Sequence, residues 1–193
     1  PTTACIIYRL FEAAGLPFSM EEAICLYAGI STDTGSFCFG NLTGETFLQV
    51  AGLMAAGLPI VETARQLHLM RQRDEVVLLG RALNSLQFFA DGQVSGMRLT
   101  KADFAAAGNE KESAEGIVNY GLYLPGVKLC YLASETSDGV KVSLRALPPG
   151  DVSGIAASLG GGGHVLAAGC TIYAPLEDAE LQVKEALIAS LSS

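Results

Sequence analysis

The sequence predicts an α/β protein: a helical N-terminal segment, a helical connector, and a C-terminal lobe with a mixed β-sheet flanked by helices. Two observations point there. Up to about residue 58 the apolar residues recur at helical spacing, with capping residues between successive runs. Beyond about residue 85 the apolar pattern changes around Asp91-Gly92, the dipeptide of a tight hairpin, and helical and alternating segments then intermix to the end. The expected units are therefore residues 1–58, 59–84 and 85–193.

Thr2 or Thr3 caps a first helix in which Ile7, Leu10, Phe11 and Ala14 recur at helical spacing, with Gly15 closing it and Pro17 beyond. A second helix begins at Ser19, where S-M-E-E is a capping box with Glu22 reaching back; it is expected to bury Ala23, Ile24, Tyr27 and Ala28. The segment AGISTDTGSFCF mixes a short apolar approach with small polar residues and a glycine, so it reads as a strand or a helix end running into a loop. A third helix over residues 45–56 ends at Gly57. Residues 59–84 are charged and helix-prone and lack the Gly and Ser clusters of a flexible linker, which makes them a helical connector.

The second lobe starts with the Asp91-Gly92 hairpin. A short helix over residues 101–107 follows, closed by Gly108, then a helix over 114–122 and strands over 127–134 and 140–146 around E-T-S-D-G. Asp151 caps a helix through Ser158, the glycine run comes next, G-C-T-I-Y-A is a final strand, and residues 176–191 form an amphipathic closing helix.

Composition bounds the function. With half of its 193 residues hydrophobic, the chain can bury a sizeable core. A net charge of −8 argues against a broad basic surface for nucleic acid, so a phosphate-bearing partner must be small or held locally. The longest apolar run, VAGLMAAGLPIV, is short for a membrane span and is broken by Gly52, Gly57 and Pro59. Five scattered cysteines without C-x-x-C spacing suggest neither a disulfide framework nor a zinc site, and the reducing cytoplasm fits them best. The opening PTTACIIYRLFEAAG has neither an initiator methionine nor the start of a secretory leader, so a fragment of a longer chain is expected.

Three places carry possible chemistry. In S-L-G-G-G-G-H-V-L-A-A-G, Gly160 ends a helix, Gly161, Gly162 and Gly163 turn their N–H groups toward an anion, and His164 opens a next short helix whose positive end adds to the attraction. The competing reading is a mobile glycine loop with a surface histidine. In G-V-K-V-S-L-R-A, strand alternation puts Lys141, Ser143 and Arg145 on one face and Val140, Val142 and Leu144 on the other. Arg145 offers a planar fork suited to phosphate oxygens, although a solvated edge face would look the same. In S-T-D-T-G, Asp33 stands where a hard-cation ligand would, or as a turn or cap residue. His68 has no partner at metal spacing and reads as structural or surface. The cysteines have no nearby histidine to activate them, and there is no G-x-S-x-G.

Taken in order, YAGISTDTGSFCF, the connector, KVSLRA and DVSGIAASLGGGGHVLAAG resemble the DHH/DHHA1 phosphoesterase superfamily, and within it the RecJ-like oligoribonuclease (nanoRNase) and 3′-phosphoadenosine-5′-phosphate phosphatase group. TTACIIYRLFEAAGLP resembles the segment after that family's Asp-His-His motif, so the resemblance covers essentially the whole chain. It implies a helical remnant of the DHH lobe, a helical connector and a DHHA1 lobe, with an active site in the cleft between lobes. The DHH lobe would hold two divalent metals, usually manganese, with magnesium as the alternative, to activate water for in-line attack on a phosphate ester. Asp33 would match the last metal-binding aspartate, and is the catalytic residue this chain supplies. Arg145, the backbone of Gly161, Gly162 and Gly163, and His164 would grip the substrate phosphate, with Ser143 beside them.

The sequence departs from the family pattern. Asp-His-His, the earlier aspartate motifs and a second histidine near Asp33 are absent, and Ala146 stands where many relatives carry serine. The expectation is the C-terminal part of a hydrolase of short oligonucleotides or nucleoside bisphosphates, inactive by itself. Its partners would be the missing N-terminal half of the DHH lobe and a second copy in a homodimer. The alternative is a non-catalytic nucleotide- or RNA-binding module of DHHA1 type, as is appended to alanyl-tRNA synthetases.

Overall fold

Helix α1 (Thr3–Ala14) starts where the Thr2 hydroxyl accepts the Cys5 N–H at 3.2 Å and stops at Gly15 in the left-handed region. A full capping box between Ser19 and Glu22 opens α2 (Met20–Asp33). Helices α3 (Gly44–Ala55) and α4 (Ile60–His68) complete the first of two compact units, Pro1–Arg71 and Gln72–Ser193. In this computed structural model the described residues are 2–38, 42–109 and 111–191; Phe39, at the end of AGISTDTGSFCF, lies outside them.

The first unit closes around Cys5, Tyr8, Leu26, Tyr27, Ile30 and Leu53. The face that α1 buries differs from the stripe read from the sequence: Ala4, Cys5 and Tyr8 point inward, while Ile7 and Leu10 are exposed. Apolar residues surround much of this helix, so spacing alone fits two faces. Close approach decides between them, because a Cβ at Gly29 would lie 2.9 Å from that of Ala4, and one at Gly52 would collide with the Tyr8 hydroxyl. Small residues on α2 and α3 admit the Ala4–Tyr8 side of α1. The S-T-D-T-G segment is the helix end rather than a strand, with Asp33 the last residue of α2.

Residues 59–84 hold two helices that belong to different units: α4 in the first, and α5 (Arg73–Asn84) in the second. The second unit continues with β1 (Gln87–Phe89), β2 (Val94–Leu99), α6 (Lys101–Ala107), a 3-10 helix (Ile117–Leu122), β3 (Leu129–Thr136) and β4 (Gly139–Ala146). It ends with α7 (Ser153–Ser158), β5 (Gly162–His164), β6 (Ala167–Ile172) and α8 (Leu176–Ser190). Ala90 and Asp91 both adopt positive φ ahead of Gly92, the backbone that the hairpin signal requires. The helix expected over 114–122 is the shorter 3-10 helix, entered from Gly116 at φ 78°, which helical geometry cannot include. Asp151 does not cap α7, whose N-cap is Val152; its carboxylate instead accepts the Ser153 N–H at 2.7 Å and hydroxyl at 2.6 Å in a local turn.

The sheet order is β1-β2-β3-β4-β6-β5, with only β2 and β3 parallel. One face packs on α7 and α8 through Val140, Val142, Leu144, Ile155, Leu176 and Val183. On the other face α5, α6 and the 3-10 helix bury Met97, Leu99, Cys130 and Leu132 of β2 and β3. The same face of β4, β6 and β5 is left outside that core, and it carries the polar side of the β4 alternation.

A capping box at Thr100 and Asp103 starts α6, and Arg81 of α5 reaches Asp103 at 2.9 Å. Burial pushes the Asp103 carboxyl up, but hydrogen bonds from the Thr100 N–H and hydroxyl and the Arg81 guanidinium outweigh it and hold the group below its ordinary value. A lowered carboxyl stabilises the fold above its unfolded-state pKa, and that contribution fades as pH falls through the folded-state value. Asp103→Ala should therefore lower stability by about 1–2 kcal/mol at neutral pH. In urea titrations the deficit should shrink as the solution is acidified; a deficit independent of pH would contradict the assignment.

Candidate functional site

The strand β4 places Val140, Val142 and Leu144 in the core, whereas Lys141 is exposed and Ser143 and Arg145 are half-buried on the opposite face. Antiparallel register extends this face across the sheet, because directly paired residues share a side. Arg145 pairs with Ala167 and Ala167 with His164; Ser143 pairs with Gly169 and Gly169 with Gly162; Lys141 pairs with Thr171. Arg145 and His164 thus stand in one row, two strand spacings or about 10 Å apart at Cα. Only the methyl group of Ala167 lies between them in that row.

The Arg145 guanidinium is oriented from below. Its Nε donates to Asn119 Oδ1 at 3.1 Å and its Nη1 to the Leu144 carbonyl at 2.9 Å. The remaining N–H groups of the fork are available to an anion. Asn119 escaped the sequence reading, and no local signal marks it: its partner lies 26 positions away, and only the packing of the 3-10 helix against β4 joins them. Among the described residues the ion pairs are Arg9–Glu45, Arg65–Glu62, Arg81–Asp103 and Arg98–Glu180, so neither Arg145 nor Lys141 is spent on a carboxylate.

The glycine run is built differently from the helix-end cradle expected for it. The Gly160 and Gly161 N–H groups close α7 by donating to Ala157 O at 3.1 Å and Ala156 O at 2.8 Å. Gly162 and Gly163 belong to edge strand β5, and His164 ends that strand rather than opening a helix. The physical cause is β6, which returns only three residues after β5 ends and captures the glycines as a ladder partner. Glycine is required at two of these positions. A Cβ at Gly161 would collide with the Gly169 carbonyl, and Gly163, at φ 147°, would place one 2.6 Å from Ala168 Cα. At Gly162 a Cβ would meet nothing within 4 Å, so this floor is open. His164 is exposed beside it, and on an edge strand alternate N–H groups face outward.

An open cleft of about 560 Å³ is lined by Lys141, Ser143 and Thr171 together with Gly160, Gly161 and Gly169, and neither Arg145 nor His164 lines it. A second, of about 380 Å³, extends from the same Lys141 and Ser143 toward Lys111 and Ser134. Cys130, paired with Arg145 across β3 and β4, is buried, and its thiol is pushed up to about 12 despite the opposing guanidinium. It is inert as a nucleophile at neutral pH.

Asp33 is exposed at the end of α2 in the first unit. Two residues before it, buried Ser31 shares a 2.6 Å hydrogen bond with His68 Nε2, which gives His68 a packing partner at the end of α4. Among the described residues no three His, Cys, Asp or Glu side chains come together as a metal-holding group. No single helix among the described residues is long and apolar enough to cross a membrane.

A DHHA1 domain model matches residues 98–192, from within β2 to the end of α8. Over 191 residues the chain is 31% identical to the bifunctional oligoribonuclease and PAP phosphatase NrnA of Thermus thermophilus, covering 98% of this chain and 57% of that protein. The protein of the same name from Bacillus subtilis is 28% identical over 171 residues, covering 87% and 54%. The chain therefore spans just over half the length of the curated relatives it matches. The structure superposes on an exopolyphosphatase-related protein from Bacteroides fragilis with a TM-score of 0.91 at 27% identity, over 96% of this chain and 55% of that one. By its DHHA1 domain, these relatives and its G-G-G-G-H and T-D-T-G motifs, this chain belongs to the DHH/DHHA1 superfamily, in its nanoRNase-like group.

Proposed function

We propose that this chain is the substrate-binding part of a phosphoesterase that hydrolyses short oligonucleotides or 3′-phosphoadenosine-5′-phosphate. The observation that carries the reading is the row of Arg145, Ala167 and His164 across the open sheet face. A guanidinium held by Asn119 and an imidazole on a glycine edge suit the oxygens of one phosphate group, and the names of the relatives supply the substrate class. Binding is local, as the negative net charge demands: the fork takes two oxygens, and Ser143 and the outward N–H groups of the edge strand are the remaining donors.

The metal belongs to the longer protein. One exposed carboxylate does not build a two-metal site, and the described residues do not fit one by themselves. In this reading Asp33 supplies one ligand to a manganese or magnesium pair whose other donors lie outside this chain. The missing N-terminal half of the DHH lobe is then a partner of the first unit. Large apolar side chains left exposed there, Leu10 at 62% and Leu48 at 73%, support that, since exposed groups of this kind mark contact surfaces. Five free cysteines are in keeping with the cytoplasm.

The test compares two variants in the intact protein. His164→Ala should weaken metal-free binding of adenosine 5′-monophosphate about tenfold, as expected for one charge-assisted hydrogen bond. Asp33→Ala should spare that binding and abolish manganese-dependent cleavage of a dinucleotide. Should Asp33→Ala leave cleavage intact, the metal assignment fails. An intact protein that binds nucleotide but cleaves nothing would be a non-catalytic binding module.

A further inference from the structure

Beyond the Arg145 row, the same face of the sheet carries a second cationic place that the phosphate reading leaves unused. Lys141 stands four residues from Arg145 along β4, about 13 Å at Cα, with Ser143 halfway between them. Its cross-strand partner on β3 is Ser134, and directly paired residues share a side. Ser134, Lys141 and Ser143 line the cleft of about 380 Å³, and Lys111 lines it from the loop after α6. That loop is pinned on both sides of Lys111. Buried Asn109 accepts the Ser113 N–H at 3.0 Å and donates to Asp74 at 2.9 Å, while the Glu112 carboxylate accepts the Ser137 N–H at 2.9 Å and hydroxyl at 3.1 Å on the β3–β4 turn. Neither lysine forms an ion pair among the described residues. With Glu112 committed to the turn, Glu115 is the one other carboxylate lining the cleft beside the two ammonium groups.

Ser134 is an independent sign of a ligand. Cys130 and Leu132, on the same side of β3, lie in the core under the 3-10 helix, and Ser134 is where that side passes into the cleft. It is only 6% exposed, yet its hydroxyl has no hydrogen-bond partner among the described residues. A hydroxyl so placed is costly to leave unpaired, and an anion oxygen in the cleft would accept its proton. We infer that Lys111, Lys141 and Ser134 form a second phosphate subsite, which holds the far phosphate of an oligonucleotide lying along β4 and makes the site prefer strands with three phosphates over shorter ligands. The inference rests on the phosphate-binding reading above and adds length selection to it. A separation of about 13 Å from Arg145 is wider than that of two phosphates on one ribose and suits the first and third phosphates of an extended strand. 3′-Phosphoadenosine-5′-phosphate therefore leaves the subsite empty. The way between the two ends is open, because Ser143 shares its row with Gly169 and Gly162.

The probes are adenosine 5′-monophosphate and the 5′-phosphorylated di- and triadenylates, titrated into the intact protein without metal so that nothing is cleaved. The triadenylate should bind about tenfold tighter than the diadenylate, as expected for one more charge-assisted phosphate contact. Lys111→Ala and Lys141→Ala should each remove most of that step and leave adenosine 5′-monophosphate affinity unchanged. Ser134→Ala should shrink the step about threefold at an unchanged melting temperature, since its hydroxyl holds no partner within the protein. A fall in melting temperature would instead make Ser134 structural and contradict its place in the subsite. Arg145→Ala should weaken all three ligands by a similar factor and keep the step. A step that is missing from the unaltered protein, or that survives both lysine substitutions, overturns the subsite. Equal weakening of all three ligands by the lysine variants overturns it too, because the lysines would then be a general cationic surface. If the unaltered protein does not bind even adenosine 5′-monophosphate, the phosphate site itself is refuted and the second subsite falls with it.

Discussion

Gly161→Ala is expected to detach β5 from β6 and abolish phosphate-ester binding while the remainder of the second unit stays folded. The added methyl would be driven into the Gly169 carbonyl and the Cys170 backbone, neither of which is a flexible side chain that can swing away. Gly169 has no slack of its own, since a Cβ there would lie 2.7 Å from the Val142 carbonyl on its other side. Overpacking of this kind costs about 1–3 kcal/mol, a sizeable part of the 5–15 kcal/mol that holds a typical domain together. The least costly relief is to release β5, a three-residue edge strand exposed along its length. Release carries His164 away from Arg145. Hydrogen exchange at residues 162–164 and calorimetric titration with adenosine 5′-monophosphate would report the two effects together. Gly162→Ala is the control: with open space around its Cβ, it should melt like the unaltered protein. A Gly161→Ala protein that binds normally would refute the account of the glycine edge.

Arg145→Ala should have a large effect on affinity with little effect on the fold. A hydrogen bond to a charged group contributes about 1.5–3 kcal/mol, so losing the fork should weaken binding roughly 10- to 150-fold. Arg145→Lys keeps the charge but loses both the planar fork and the Nε–H that Asn119 accepts, so it should recover only part of the loss. Asn119→Ala leaves the guanidinium present but unsteered, and a smaller loss, about 3- to 10-fold, is expected. The graded series, with thermal stability little changed, separates a positioned ligand from a general cation on the surface. Equal effects from Arg145→Ala and Arg145→Lys would point to geometry as the whole contribution, and no effect from either would remove Arg145 from the site.

Much of this was legible in the sequence where the signal is local. Thr2 and Ser19 with Glu22 cap α1 and α2, Gly15 and Gly108 close α1 and α6, and Asp91-Gly92 turns a hairpin, because each depends on hydrogen bonds or φ angles within a few residues. Period-two alternation sorted β4 into a core side and a side bearing Lys141, Ser143 and Arg145. The G-G-G-G-H and T-D-T-G motifs led to the correct superfamily.

The remainder needed the tertiary structure, for one physical reason: it depends on which distant segment arrives as a neighbour. Gly-Gly-His carries neither alternation nor β propensity, and it became a strand only because β6 lies alongside it. The buried face of α1 was chosen by the small residues of α2 and α3, not by its own pattern, which fits two faces. Asn119 is an unremarkable letter in sequence, and it acquires a place only when the 3-10 helix sets it against Arg145 of β4. Local chemistry along the chain thus determined the caps, the hairpin and the polar face of β4. Long-range pairing decided what that face could hold.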